Sequence, residues 1–180
     1  MRLNEKLTKE TYPRLAEKYK VKVLALPKLE KVTINTGVGR IKESKDEMEN
    51  VARELSVITG QKPKSTIAKK SISGFKLRAG QTVGYAVTLR GKRMFDFVER
   101  LASVVLPRWR EFEGLSSRSF DKNNNFTIAI KEQNIFPELK ADDIKNLWGM
   151  SITLTMKNAQ NREQVIDYLK ETGFVFEKEQ

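Results

Sequence analysis

Val32-Thr33-Ile34-Asn35-Thr36-Gly37-Val38, followed by the capping sequence Ser44-Lys45-Asp46-Glu47 and the apolar series Met48, Val51, Ala52, Leu55, Ile58, decides the fold. The first run alternates apolar and polar residues with period two, the mark of a half-buried strand. In the second, a serine three residues ahead of a glutamate satisfies orphan backbone N–H groups at a helix start. The apolar residues then recur at helical spacing until Gly60, whose freedom at positive φ suits a helix end. A strand that feeds a capped helix of this length begins a sheet-and-helix domain.

Outward from that unit the same patterns repeat. Lys62–Ala68 and Gln81–Arg90 read as strands, with Lys69–Gly80 between them. Met94, Val98, Leu101, Ala102 and Val105 make a helix over Arg93–Val105 that Pro107 is expected to stop. Residues 110–125 read as a long loop holding the turn run Asp121-Lys122-Asn123-Asn124-Asn125. Phe126–Glu132 and Ser151–Lys157 alternate as strands, and a last helix runs from Asn161 to Gly173. At the front, Leu3, Leu7, Leu15 and Tyr19 predict a helix over residues 2–20, interrupted at Pro13. The middle six elements run strand–helix–strand–strand–helix–strand, the split βαβ order of ferredoxin-like and RNA-recognition-type domains. The expected class is α+β, with a mixed, mostly antiparallel sheet and helices packed on one face. A single domain is expected over 1–180, with the sheet–helix core at 29–157 and the last helix at 161–173.

Composition narrows the function. The chain has no cysteine and no histidine, which removes thiol chemistry, disulfides and the commonest metal ligand. No enzyme, cofactor, metal or small-molecule substrate is expected. The polar start, Met1-Arg2-Leu3-Asn4-Glu5-Lys6, lacks the apolar core of a signal peptide. No apolar run approaches the roughly 18 residues of a membrane span. A cytoplasmic home without membrane contact is expected.

Charge is uneven. Residues 61–110 carry 12 Lys/Arg against 2 acids, a net of +10, while residues 1–60 carry +4 and residues 111–180 carry −3. A segment that basic repels itself unless an anionic partner offsets it, and nucleic acid is the first expectation.

Alternation also sorts the sheet into two faces. Val32, Ile34, Val38, Val83, Tyr85, Val87, Leu89, Phe126, Ile128, Ile130, Ile152, Leu154 and Met156 form the core side. The other side carries Thr33, Asn35, Gly37, Lys62, Lys64, Thr66, Gly84, Ala86, Thr88 and Arg90. Thr127, Ala129, Lys131, Ser151, Thr153, Thr155 and Lys157 follow on the later strands. Small residues, hydroxyls, an amide and cations without a carboxylate suit close approach by a polyanion, bonding sugar and phosphate. A threonine-rich solvent face chosen for β-propensity is the plainer alternative. The face has no stacking aromatics, so it is expected to take folded RNA by shape and not unpaired bases. The loop Ser73-Gly74-Phe75-Lys76-Leu77-Arg78-Ala79-Gly80 could present two cations and an apolar contact to an RNA backbone, or be an ordinary exposed hairpin. The acids Glu138, Asp142 and Asp143 are the only cluster on which a phosphotransfer or hydrolytic enzyme could be built, and helix-terminus charge accounts for the aspartates more simply.

These residues also carry a resemblance. Ile34-Asn35-Thr36-Gly37-Val38-Gly39, Thr59-Gly60-Gln61-Lys62-Pro63, Gly74-Phe75-Lys76-Leu77-Arg78 and Val87-Thr88-Leu89-Arg90-Gly91 resemble motifs of the ribosomal protein L5 family. Leu106-Pro107-Arg108, Phe120-Asp121, Lys131-Glu132-Gln133-Asn134-Ile135-Phe136-Pro137-Glu138 and Gly149-Met150 continue the likeness to about Phe176. The resemblance implies a structural protein of the central protuberance of the large ribosomal subunit. Its implied partners are 5S rRNA, 23S rRNA, P-site tRNA and a small-subunit protein across an intersubunit bridge. It implies 5S rRNA contact at Asn35, Thr36, Gly37, Lys62, Lys64, Thr66, Thr88 and Arg90, and tRNA contact at Gly74, Phe75, Lys76, Leu77, Arg78 and Gly80. Intersubunit contact is implied at Arg108, Arg110, Glu111, Glu138 and Asp142. The chain departs from the family at Glu113, where a cation is common, and at Asp121–Asn125, which replaces an Asp-Gly-Arg-Gly-Asn turn.

Overall fold

The structure is a computed structural model that describes residues 3–39, 44–109, 112–140 and 144–177. Five strands, β1 (Lys28–Gly37), β2 (Lys64–Ile67), β3 (Thr82–Leu89), β4 (Phe126–Ile130) and β5 (Met150–Lys157), hydrogen-bond in the order β2-β3-β1-β5-β4. The sheet is antiparallel. The helices are α1 (Leu3–Lys6), α2 (Tyr12–Tyr19), α3 (Lys45–Thr59), α4 (Gly91–Arg100), α5 (Leu106–Arg108) and α6 (Arg162–Glu171).

The strand beside β1 in the split βαβ order is β5 and not β4, which lies outside β5 at the sheet edge. Both sequences alternate equally well, so local pattern could not choose between them. The two prolines expected to interrupt or stop helices sit beside irregular turns: the helical stretch at the front continues past Pro13 to Tyr19, and the one reaching Pro107 ends at Arg108. Leu7–Thr11 and Leu101–Val105 are single π turns, closed by Tyr12 N–H onto the Leu7 carbonyl and by Leu106 N–H onto the Leu101 carbonyl. Each is followed at once by a proline at the start of the next helix, α2 or α5. A proline ring crowds the carbonyl four residues earlier, and the wider turn relieves that crowding.

The chain divides into two compact units, residues 1–32, 89–128 and 153–180, and residues 33–88 and 129–152. In the first, Leu7, Leu15, Leu26, Val32, Leu89, Phe97, Leu101, Phe126, Leu154 and Tyr168 are buried. Phe120, Phe126 and Phe176 meet with ring centroids 4.6 to 6.2 Å apart. The turn after Phe120 is tied by Asp121, whose Oδ1 accepts from the N–H groups of Asn123 and Asn125, both at 2.8 Å. Asn124 takes φ 58°, a conformation that asparagine tolerates, so the turn forms without glycine.

In the second unit α3 begins as its sequence predicts, with Ser44 Oγ accepting from Glu47 N–H at 3.3 Å. It ends at Gly60, φ 66°, whose N–H returns to the Ser56 carbonyl at 2.8 Å. Val51, Leu55 and Ile58 are buried, as are Ile34, Val38, Val87, Ile130, Met150 and Ile152. Each such side chain contributes about 1.5–3 kcal/mol by leaving water. Ser65 pairs across to Tyr85, and both share one hollow with Ala52, Ser56 and Val57 of α3. The helix therefore covers the Ser65–Tyr85 side of this part of the sheet, and Lys64 and Thr66 point to the other.

Candidate nucleic-acid interface

The second unit's open face can be read row by row from its register. Thr66 lies opposite Gly84 and Lys64 opposite Ala86. The Val38 N–H donates to the Val83 carbonyl at 2.9 Å, which sets Gly37 opposite Gly84 and Asn35 opposite Ala86 on β1. The rows are thus Thr66–Gly84–Gly37 and Lys64–Ala86–Asn35, with side chains almost absent along the middle strand. Ser151 Oγ donates to the Asn35 carbonyl at 3.4 Å, continuing the second row onto β5. None of these row positions carries a carboxylate.

The bareness at Gly84 is enforced. A Cβ there would stand 2.5 Å from the Thr36 carbonyl oxygen and 2.9 Å from Thr66 Oγ1. Only glycine lets the three strands close at this point, and the result is a shallow trough floored by backbone. Lys64 is exposed on its β2 side, Lys62 is exposed just before β2 where it also lines the hollow against α3, and Asn35 and Thr88 are exposed as well. Gln61 Nε2 donates to the Thr88 carbonyl at 3.2 Å, which leaves the threonine hydroxyl outside that bond.

Thr36 is a correction. It is buried at 2% exposure, and its hydroxyl donates to the Gly149 carbonyl at 2.8 Å. It has the strand parity of Ile34 and Val38, so it faces the core and has no surface to offer a ligand. In the other unit Arg90 makes an exposed ion pair at 3.5 Å with Glu30, near the start of β1.

The loop after β2 folds as a small hairpin. Ile72 and Leu77 exchange backbone hydrogen bonds at 3.0 and 3.1 Å around a 3-10 turn at Ser73–Phe75. Ala79 N–H donates to Ser71 Oγ at 2.9 Å, and Gly80, φ 84°, donates its N–H to the Ala68 carbonyl at 2.9 Å. With its backbone satisfied locally, the loop holds Lys76, Arg78 and a 69% exposed Phe75 outward. Gly74 is exposed, and Leu77 is half-buried.

Of the intersubunit candidates, Arg108 is exposed at the end of α5 in one unit and Glu138 is half-buried in the other. Arg110, Glu111 and Asp142, together with Asp143, lie outside the described residues. Among the described residues no group of three or more carboxylates could hold a metal ion, and no helix is long and apolar enough to cross a membrane.

Residues 23–78 match the family model described as Ribosomal protein L5, and residues 82–176 match the model of the same family's C-terminus. The chain belongs to the ribosomal protein L5 family. It is 46% identical over 178 residues, 98% of both chains, to the large ribosomal subunit protein uL5 of Streptococcus pyogenes serotype M49. The same figures hold for the large ribosomal subunit protein uL5 of Streptococcus thermophilus. As a member of the L5 family the chain is an RNA-binding ribosomal protein working in translation, in a structural and non-enzymatic class.

A buried polar network in this L5 family member was not read from the sequence. Glu54 of α3, buried, accepts from Trp148 Nε1 at 2.7 Å and from Gln133 Nε2 at 3.2 Å. Gln133 also donates to the Asn146 carbonyl at 2.6 Å, and its Oε1 accepts from Trp148 N–H at 2.8 Å. The network ties both ends of the segment between β4 and β5 to α3. Its signal was available: Glu54 interrupts the apolar stripe Val51, Leu55, Ile58 at an inward position.

Proposed function

We propose that this chain is a structural constituent of the large ribosomal subunit, in the cytoplasm of a bacterium, and that it binds 5S rRNA through the open face of its second unit. The observation that carries the reading is the glycine-floored trough between Lys64 on one flank and Asn35 on the other, with Lys62 exposed just before β2. A ribose–phosphate backbone can descend onto such a floor, where lysines neutralise phosphates and Asn35, Thr66 and Thr88 supply hydrogen bonds. Thr36 supports the trough from beneath through Gly149, as a positioning residue. Arg90, in the first unit and paired with Glu30, is a separate and weaker RNA contact in the same reading. 23S rRNA is a second RNA partner on this reading.

The hairpin at 72–80 is a contact for P-site tRNA in the same reading, with Lys76 and Arg78 on phosphate and Phe75 against a sugar or base. Arg108 and Glu138 belong to contacts with a small-subunit protein.

The test is a titration of the protein against 5S rRNA and an unrelated folded RNA at several salt concentrations. Wild type prefers 5S rRNA, and log affinity falls by about 0.7–0.9 per log unit of salt for each phosphate neutralised. Lys62→Ala with Lys64→Ala removes the preference and flattens the slope by about two such contacts. Equal binding to both RNAs, unchanged in the double variant, overturns the assignment of the face.

A further inference from the structure

We propose that the free edge of β2, with the hollow beside it, docks an extended peptide segment of acidic and apolar composition from a partner protein. The site is distinct from the trough, because it opens on the α3 side of β2 and β3.

Among the described residues β2 ends the sheet, and one of its flanks has no strand neighbour there. Such an edge accepts an added strand, and pockets beside it choose the side chains. The hollow here has a volume of about 460 Å³, with Ala52, Val57, Pro63 and Tyr85 as apolar walls and Arg53 and Lys62 as its cations. Val57 is 49% exposed, an apolar residue on the outer turn of α3, and Ile67 at the end of β2 is 59% exposed. An apolar floor beside the strand edge, with two cations around it, fits a strand that places an apolar side chain in the hollow and carboxylates against Arg53 and Lys62. Glu49, on the preceding turn of α3, acts on Tyr85, whose hydroxyl is pushed up by burial and by that carboxylate. The cations still outnumber it.

Two other occupants fit less well. RNA needs phosphate donors or a bare aromatic face, and this hollow offers two cations above apolar walls with Tyr85 half-buried. A second copy paired edge to edge would set Lys62, Lys64 and Arg53 against their own counterparts, which repel.

The probe is a capped heptapeptide of alternating glutamate and valine, with a lysine–valine heptapeptide as its control. Both are titrated to about 1 mM into the isotopically labelled full chain while backbone amide shifts are followed. The acidic peptide moves the amides of Ser65, Tyr85 and Val57 and leaves the Gly37 and Asn35 amides in place. Val57→Asp and Arg53→Glu, each checked for an unchanged far-ultraviolet spectrum, weaken it about tenfold. Neither variant touches the residues assigned to RNA, so 5S rRNA affinity reports on the other reading independently. The proposal is overturned if the acidic peptide leaves those amides unmoved, if the lysine peptide binds as well, if both variants bind like wild type, if a short RNA hairpin moves the same amides, or if the chain dimerises through them.

Discussion

The indole N–H of Trp148 donates to Glu54 Oε2 at 2.7 Å inside the second unit, joining the start of β5 to the middle of α3. With Gln133 sharing the same oxygen at 3.2 Å, a carboxylate stands in an apolar stripe because two donors are aimed at it. A buried charge is tolerated only when it is satisfied in this way, and taking away one partner is costlier than the bond's net worth.

Trp148→Phe keeps the ring and removes the donor. Unfolding in urea should then lose about 1–3 kcal/mol, while Glu54→Gln, which keeps an acceptor in place, should lose less. If Trp148→Phe is as stable as wild type, the network contributes nothing and the segment between β4 and β5 is held by packing alone.

Thr36 separates a surface role from a supporting one. Thr36→Val fills the same space without the hydroxyl that donates to Gly149. The expected loss is about 1 kcal/mol of stability with 5S rRNA affinity held within about twofold. A large loss of affinity at unchanged stability would return Thr36 to the interface.

That residue also shows where the sequence was legible. Alternation alone puts Thr36 inward with Ile34 and Val38, and only the family motif made it a contact. Lys64 and Asn35 stand on the open side that alternation gave them because period-two patterning is a direct consequence of backbone geometry, whereas Lys62 precedes β2 and also lines the hollow against α3. The choice of β5 over β4 beside β1 was not legible, since pairing depends on the segment that joins them and not on either strand's pattern. Pro13 read as an interruption and Pro107 as a stop, and the helix does end at Arg108, but the π turn ahead of each proline was not legible because the local rule is written for an α turn. Glu30 escaped notice for a simpler reason, as the half of β1 before Val32 alternates poorly around Glu30 and Lys31.

Gly84 carries the floor of the trough. Gly84→Ala drives a methyl group into the Thr36 carbonyl at 2.5 Å, a backbone atom that can yield only if β1 and β3 separate. The expected cost is about 1–3 kcal/mol, with weaker 5S rRNA binding measured under conditions where the variant is still folded. Gly37→Ala, where a Cβ meets nothing within 4 Å, should leave stability nearly intact and reduce RNA affinity by raising the floor. An unchanged affinity in Gly37→Ala would mean that the RNA does not descend so far.

The first unit has its own pH signature. Asp167 of α6 accepts from Tyr19 Oη at 2.7 Å and pairs with Lys18. Burial pushes its carboxyl up, but the hydrogen bonds from Lys18 and Tyr19 outweigh burial and hold it below the usual carboxylate value. A depressed folded-state value means that the unfolded chain takes up the proton first as acid is added. The contribution is therefore present above the unfolded carboxylate's value and is lost as pH falls through the folded one. Urea midpoints measured from neutral pH down into that acid range should fall less steeply for Asp167→Asn than for wild type. At neutral pH the variant should already be less stable, by a modest amount, because both partners are near the surface. Parallel acid profiles for the two proteins would show that the Lys18–Asp167–Tyr19 contact does not hold the N-terminal helix to α6 in solution.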